Sequence, residues 1–449
     1  MLNRPRTQIF MASTLYGAAT LAAALDADRF APADRRLLLL SNNAATPETT
    51  ASLDTMPGFD RLRTRFDRVL SWNETISPFH PGGWSPRADD APLWERYLRL
   101  LWGLGDSHVE LIVESIQVNP ALALAQVFPG APLDVYADGL MSYGPTRNKL
   151  DPLIGTRIGR LLHLDLVPGL TPLLLTEFEV PTETVPTDAF LKVLDELSDT
   201  TPELDVPHGA ALLLGQYLSA LGILTPEEEE GLHVQMLRGA AERGHQEIVF
   251  KPHPSAPARW SRLLEREAEK LDLTLTVLDT PVLAEVLYQR MRPALVVGCF
   301  STALLTASAF YDLPTARTGT GLLLERLSPY QNSNRIPVTI VDALVPDLAD
   351  RSATPNTAPG DIAGLVTAVG YAMQHQIYPN LRPATERYLA TRLDQHTWRY
   401  FKRRRLTALA LPGAIPSQLA FIPRNATVRK VARRARAVQR RLKKRAAFG

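Results

Sequence analysis

The chain has 449 residues, 45% hydrophobic and 21% charged, enough apolar material for about two cores of ordinary domain size, so two globular domains are the starting expectation. Its single cysteine, Cys299, excludes a disulfide framework within the chain, and no Cys/His cluster has the spacing of a structural zinc site, so a reducing, cytoplasmic setting fits best. The net charge of +2 hides an asymmetry, because Arg399 to Gly449 carry sixteen Lys or Arg and no Asp or Glu, which leaves the rest of the chain acidic.

Ile9 to Leu25 is apolar enough to raise the question of a signal peptide, with Arg4 and Arg6 ahead of it and Ala-rich sequence behind. Gln8, Ser13, Thr14, Tyr16 and Thr20 interrupt the run, and it is short for a membrane span, so a buried strand followed by a helix is expected. No other segment reaches ~18 uninterrupted apolar residues, which speaks against an integral membrane protein. Further along, short apolar runs alternate with helical stretches, the signature of β/α units. Strands are predicted at Gln8 to Ser13, Leu37 to Ser41, Val109 to Ser115 and Leu133 to Ala137, with helices at Trp94 to Leu104 and Pro120 to Phe128. Val180 to Val206, with several Pro and Thr, reads as a linker holding one helical stretch, Asp188 to Leu197. The alternation then resumes with strands Ala211 to Leu214, Glu247 to Lys251, Thr274 to Leu278, Ala294 to Val297 and Val338 to Val341. Helices fall at Pro226 to Arg243, Pro257 to Lys270, Val282 to Gln289 and Ala303 to Phe310.

Parallel α/β sheets place ligands at the carboxyl ends of their strands, so the residues that follow each strand matter most. Three clusters sit there. Asp138 precedes Gly139, which permits a tight turn, and a carboxylate so placed can act as general base towards a hydroxyl; Asp-Gly is also simply a common turn pair. His253 lies between two prolines after a β-rich run, which holds its backbone extended, and an imidazole there can donate to a phosphate or protonate it. His80-Pro81 has no strand before it and receives no role. Gly298 to Thr302 reads as strand, turn and helix start, where hydroxyls and N–H groups make an anion site or merely cap the helix. No Walker loop and no Gly-x-Gly-x-x-Gly run is present, which argues against an NTPase or a dinucleotide enzyme.

In this order, Asp-Gly, His-Pro and Ser-Thr resemble the three motifs of bacterial polysialyltransferases and related sialyltransferases. The Asp-Gly-Leu-Met-Ser-Tyr-Gly run from Asp138, the Leu-Gly-Gln-Tyr-Leu-Ser run from Leu214 and the Pro-x-x-x-Glu at Pro281 support the likeness, which spans roughly residues 5 to 380. It implies an α/β GT-B fold of two Rossmann-like domains facing a cleft: an acceptor-binding half over 1–190, a nucleotide-sugar-binding half over 207–380, and helices with a basic helical tail over 381–449. It also implies transfer of sialic acid from a CMP-sialic acid donor to a glycan or glycolipid acceptor, with inversion, no cofactor and no metal. Carried over by position, Asp138 is the base and His253 meets or protonates the leaving phosphate. Ser301 and Thr302 hold that phosphate, with Gly298 and Lys251 in the same nucleotide site; Glu285 reaches the ribose hydroxyls and Gln216 makes a cleft contact. The sequence departs from the pattern at Ala137, where the family motif carries a first acidic residue.

Two other readings stay open. A CDP-glycerol-type GT-B polymerase shares the Lys-x-His-Pro run and a later Ser-rich turn. A non-catalytic membrane-surface or nucleic-acid binding protein would depend on the basic tail. There Val428, Val431, Ala435, Val438 and Leu442 recur at helical steps among eleven basic residues between Arg424 and Arg445, giving a thin apolar stripe beside a wide cationic face. The expectation is a peripheral anchor on the anionic inner face of the cell membrane, where cell-surface or capsule glycans are assembled, and not nucleic-acid binding, since no aromatic residue interleaves the charges.

Overall fold

The computed structural model describes residues 4–253, 256, 259–278, 280–350 and 361–414. The chain forms two compact units, Met1–Tyr388 and Leu389–Gly449. In the first, the strands β1 (Arg6–Ala12), β2 (Arg35–Leu40), β3 (Arg68–Ser71), β4 (His108–Glu114), β5 (Leu133–Ala137), β6 (Ile158–Leu164) and β7 (Thr182–Val185) form one sheet in the order β3-β2-β1-β4-β5-β6-β7. A second sheet holds β8 (Ala211–Leu214), β9 (Glu247–Lys251), β10 (Thr274–Val277), β11 (Leu295–Gly298) and β12 (Thr315–Arg317), in the order β10-β9-β8-β11-β12. Every neighbouring pair in both sheets is parallel.

Helices cover both faces of such sheets, so the central strands are apolar along their length instead of alternating. All of β8 and β11 is buried, as is β1 beyond Arg6. The strand order reverses between β1 and β4 in one sheet and between β8 and β11 in the other, and a crevice opens beyond the carboxyl ends at each reversal. The apolar stretch after Arg6 is the expected strand and helix. Leu15–Asp26, rich in Ala and Leu, is buried over most of its surface and packs against the helix Thr187–Thr200. The start of the helix Pro226–Glu242 is written in its sequence: Thr225 accepts from the Glu228 N–H at 3.2 Å while the Glu228 carboxylate accepts from the Thr225 N–H at 3.0 Å.

Several expectations are corrected. Val338 to Val341 is not a strand but the middle of the helix Arg335–Leu344, buried along most of its length. A short β-branched run does not distinguish a buried helix from a buried strand. This helix is tied to β12 by Arg317, whose guanidinium lies 3.3 Å from the buried Asp342 carboxylate and 2.8 Å from Asp347. Val180 to Val206 is not mainly linker: it contains β7 and the helix Thr187–Thr200. β3, β6, β7 and β12 were not expected. In the second unit the short helix Arg403–Ala408 buries Leu406, and the Arg403 guanidinium lies 5.0 Å from the Trp398 ring centre. The tail expected over 424–445 lies outside the described residues.

Candidate active site

In the first half, three strand ends converge. β1 runs into Ser13 and Thr14, and Thr14 caps the next helix by accepting from the Gly17 N–H at 2.9 Å. β4 ends at Glu114, whose Oε2 accepts from Ser13 twice, from the N–H at 3.1 Å and from Oγ at 2.6 Å. Asp138 follows β5, and the Tyr136 hydroxyl beside it donates to the Met11 carbonyl at 2.9 Å. These groups crowd around Gly17, where a Cβ would lie 3.0 Å from the Tyr136 hydroxyl, 3.1 Å from Thr14 Oγ1 and 3.2 Å from Asp138 Oδ2. The glycine lets the helix start pass that close to the carboxylate. Burial pushes Asp138 up to about 7, with the nearby Glu114 charge adding to the shift, and burial raises Glu114 as well.

Gly139 has φ −130°, ordinary extended backbone, so its use is not the turn expected of it. What it supplies is room, since a Cβ would sit 3.2 Å from Thr302 Oγ1. Ala137 is buried in the hydrophobic core with Val135 and Val113.

In the second half, Gln216 follows β8 and its Oε1 accepts the Phe300 N–H at 2.9 Å, which fixes the turn after β11. That turn delivers Ser301, whose Oγ caps the helix Thr302–Tyr311 by accepting from the Ala303 N–H at 3.3 Å. Lys251 ends β9; burial lowers its pKa and the Glu285 charge opposes that. Glu285 is buried, with its pKa raised by that burial, and accepts from Thr306 Oγ1 at 2.7 Å. His253 stands at the cleft wall with its ring 6.2 Å from that of Tyr217. Partial burial first, and the Lys251 charge second, hold its pKa below the ordinary value.

The two halves meet at these strand ends, where the Leu140 N–H reaches Thr302 Oγ1 at 3.4 Å. One cavity is lined from both sides by Asp138, Gly139, Lys251, Glu285, Ser301 and Thr302. An adjoining one, sharing Lys251 and Ser301, carries Gln216 and His253. Gly298 lies beneath Leu304 at the end of β11 and lines neither. Beside His253 a third cavity is walled by Phe250, Trp260 and the buried His233, and among the described residues neither His233 nitrogen nor Trp260 Nε1 has a hydrogen-bond partner. Sequence reasoning missed Ser13, Thr14, Tyr16 and Glu114. Ser13 ends a predicted strand and Thr14 and Tyr16 follow it, so all three carried the positional signal, whereas Glu114 lay inside one. Among the described residues no group of three or more His, Cys, Asp or Glu is placed to hold a metal ion.

A carboxylate poised to take a proton, facing a helix start suited to an anion, is what group transfer from a phosphate-leaving donor asks of a protein. Two Rossmann-like halves sharing one cleft make the GT-B architecture, and the family match over residues 8–320 makes this a glycosyltransferase. Residues 8–320 match the model of the alpha-2,8-polysialyltransferase family, and the chain belongs to that family. Among curated proteins none matches the chain in sequence. Its fold is similar to that of a 2,6-sialyltransferase of Photobacterium sp. JT-ISH-224, solved in a ternary complex with the donor product CMP and lactose. There the identity is 13%, coverage 77% of this chain and 79% of that one, and the TM-score 0.42. The GT-B domain of a Photobacterium damselae sialyltransferase is similar at 11% identity, 75% and 96% coverage and a TM-score of 0.39. Acinetobacter baumannii MurG is similar at 10% identity, 85% and 94% coverage and a TM-score of 0.39.

Proposed function

We propose that the protein transfers sialic acid from CMP-sialic acid to a glycan acceptor, with inversion and without a bound metal. The observation that carries this reading is the single cavity lined by Asp138 from one half and by Lys251, Glu285, Ser301 and Thr302 from the other. Asp138 takes the proton of the acceptor hydroxyl as its oxygen attacks the anomeric carbon. The bond to the CMP phosphate breaks on the opposite side, and Ser301, Thr302 and the helix start receive the phosphate charge while His253 donates to it. Lys251 adds a positive charge, Glu285 meets the ribose hydroxyls, and Gln216 acts by holding Phe300. In this reading 1–190 bind the acceptor, 207–380 bind the nucleotide sugar, and 381–449 comprise the C-terminal helices and the basic tail, of which 415–449 lie outside the described residues. A departing monophosphate carries less charge than a diphosphate, so protein donors replace a divalent cation. Incubation with CMP-sialic acid and a panel of glycan acceptors should give products heavier by sialic acid in mass spectra, undiminished by EDTA. Product formed only from CDP-glycerol, or only after magnesium or manganese is restored, would reject the reading. If CMP gave no thermal shift and no product formed, a non-catalytic role for the chain would be favoured.

No helix among the described residues is long and apolar enough to cross a membrane. The basic segment 424–445 would hold the enzyme at the cytoplasmic face of an anionic membrane, where lipid-linked acceptors are built, at roughly 1 kcal/mol per basic side chain near the surface. Truncation after Ala414 should abolish sedimentation with anionic liposomes and leave turnover of a soluble acceptor nearly unchanged. Failure of the full chain to bind such liposomes at low salt, or equal binding to neutral ones, would end the idea.

A further inference from the structure

The pattern that Asp138 belongs to lacks its first acid, because that position is Ala137, yet a second carboxylate stands beside Asp138 from another strand. Glu114 is in register with Tyr136 across the β4–β5 pair. Side chains alternate along a strand and in-register residues of neighbours share a face, so Glu114, Tyr136 and Asp138 fall on one side of the sheet. Ala137 falls on the other, with Val113 and Val135 in the core. An acid at 137 would point into that core. The chain leaves β4 through Ser115 in the left-handed region, φ 53°, so Glu114 sits at the very end of its strand, where its carboxylate holds both donors of Ser13. Ser13 precedes Thr14, and Thr14 and Asp138 Oδ2 both crowd the space over Gly17.

We propose that Glu114 is a positioning residue for Asp138, a second carboxylate that fixes the Ser13–Thr14 turn against the base and sets a like charge beside it. This rests on the reading of Asp138 as the base. The groups facing Asp138 are Glu114 from β4, Tyr136 from β5, Thr14 after β1 and Tyr16 from the helix Leu15–Asp26, with Lys251 and Glu285 lining the cavity from the other half. Of the charged groups, Glu114 is the one whose field acts on Asp138, and it does so in the direction that holds the proton on. Two such carboxyls ionise as a pair, the first charge opposing the second, and the second step is the one that arms the base.

Glu114→Gln keeps the shape and can still accept from Ser13 but removes the charge. Asp138 then loses its proton at lower pH, and the acidic limb of kcat/KM should move down by about one pH unit. The plateau should fall several-fold, because a less basic carboxylate takes a proton less readily. Glu114→Asp, which keeps the charge, should bring the limb back towards the parent position, which a purely structural role would not do. The same pair should be followed without turnover by carbon-13 NMR of the full chain labelled at Asp and Glu carboxyls, with the Asp138 signal identified by its loss in Asp138→Asn. An Asp138 signal that titrates at the parent pH in Glu114→Gln overturns the proposal. Should that variant fail to fold, the parent decides: coupled carboxyls give two-step curves, and a single-step Asp138 curve overturns it equally. Full activity in Asp138→Asn would instead reject the base assignment and leave the NMR coupling standing.

Discussion

Asp138→Asn is expected to lower transfer by about 10³-fold, within the range general-base catalysis contributes, while leaving the protein folded. The amide has the same shape but takes no proton. Folding should not suffer, because a carboxylate raised by burial already costs free energy in its charged form and the neutral amide escapes that cost. The parent should show the same group in its pH profile. With Asp138 pushed up to about 7, the base is armed above that pH and disarmed below it. The rate should therefore fall about tenfold for each pH unit on the acid side, and the variant's residual rate should lack that limb. Initial rates with CMP-sialic acid, beside a thermal unfolding curve, decide this. A variant within a few-fold of the parent would place the base elsewhere.

His253→Ala should cost about 10²-fold or more in kcat, the scale on which a single donor to developing charge is measured. The side chain stands at the cleft wall, so little packing is lost and melting should be unchanged within a few degrees. Partial burial and Lys251 hold the imidazole below its ordinary pKa, so near neutral pH it offers an N–H and no extra proton. A phosphate bound against it would pull the other way, favouring the charged ring. His253→Asn, which keeps a donor but no titrating group, separates the two contributions. If Asn restores most of the rate, hydrogen bonding carries the effect; if it is as poor as Ala, proton donation does. An Ala variant that turns over normally would remove His253 from the site.

The residues carrying these predictions were legible for one reason: the chain is built of parallel strands, and the positions after them can be read from short apolar runs. Asp138, Lys251, Ser301 and Thr302 were placed by that rule, and the structure brings all four to one cavity. What escaped has physical causes. β7 is Thr-Glu-Thr-Val, with only its last residue buried, and β3 has no fully buried residue; both lie at sheet edges, where little apolar burial is required. β12 has only three residues, too few for any periodicity. β6 carries Arg160 and His163, which blur an otherwise apolar run, although Arg160 is paired with Asp134 at 2.9 Å and Glu183 at 2.7 Å. The helix Arg335–Leu344 was hidden because its β-branched run Val338 to Val341, read locally, has the composition of a buried strand. Glu114 escaped because its role depends on which strand lies beside β5, and strand order is not a local property of sequence.

The central place of β1 bears on how this protein can be processed and produced. The apolar stretch Ile9 to Leu25 has the outline of an export leader, yet it supplies the strand between β2 and β4 and the helix turn bearing Thr14 and Tyr16. A peptidase cutting behind its alanines would leave β2 and β4 with no strand between them and strip Asp138 of the turn that encloses it. Translation begun at Met11 would do much the same, yielding a chain that keeps Asp138, His253 and the entire second sheet but has lost most of the central strand of the first sheet. An affinity tag or a truncation therefore has to leave the residues from Arg6 onward intact.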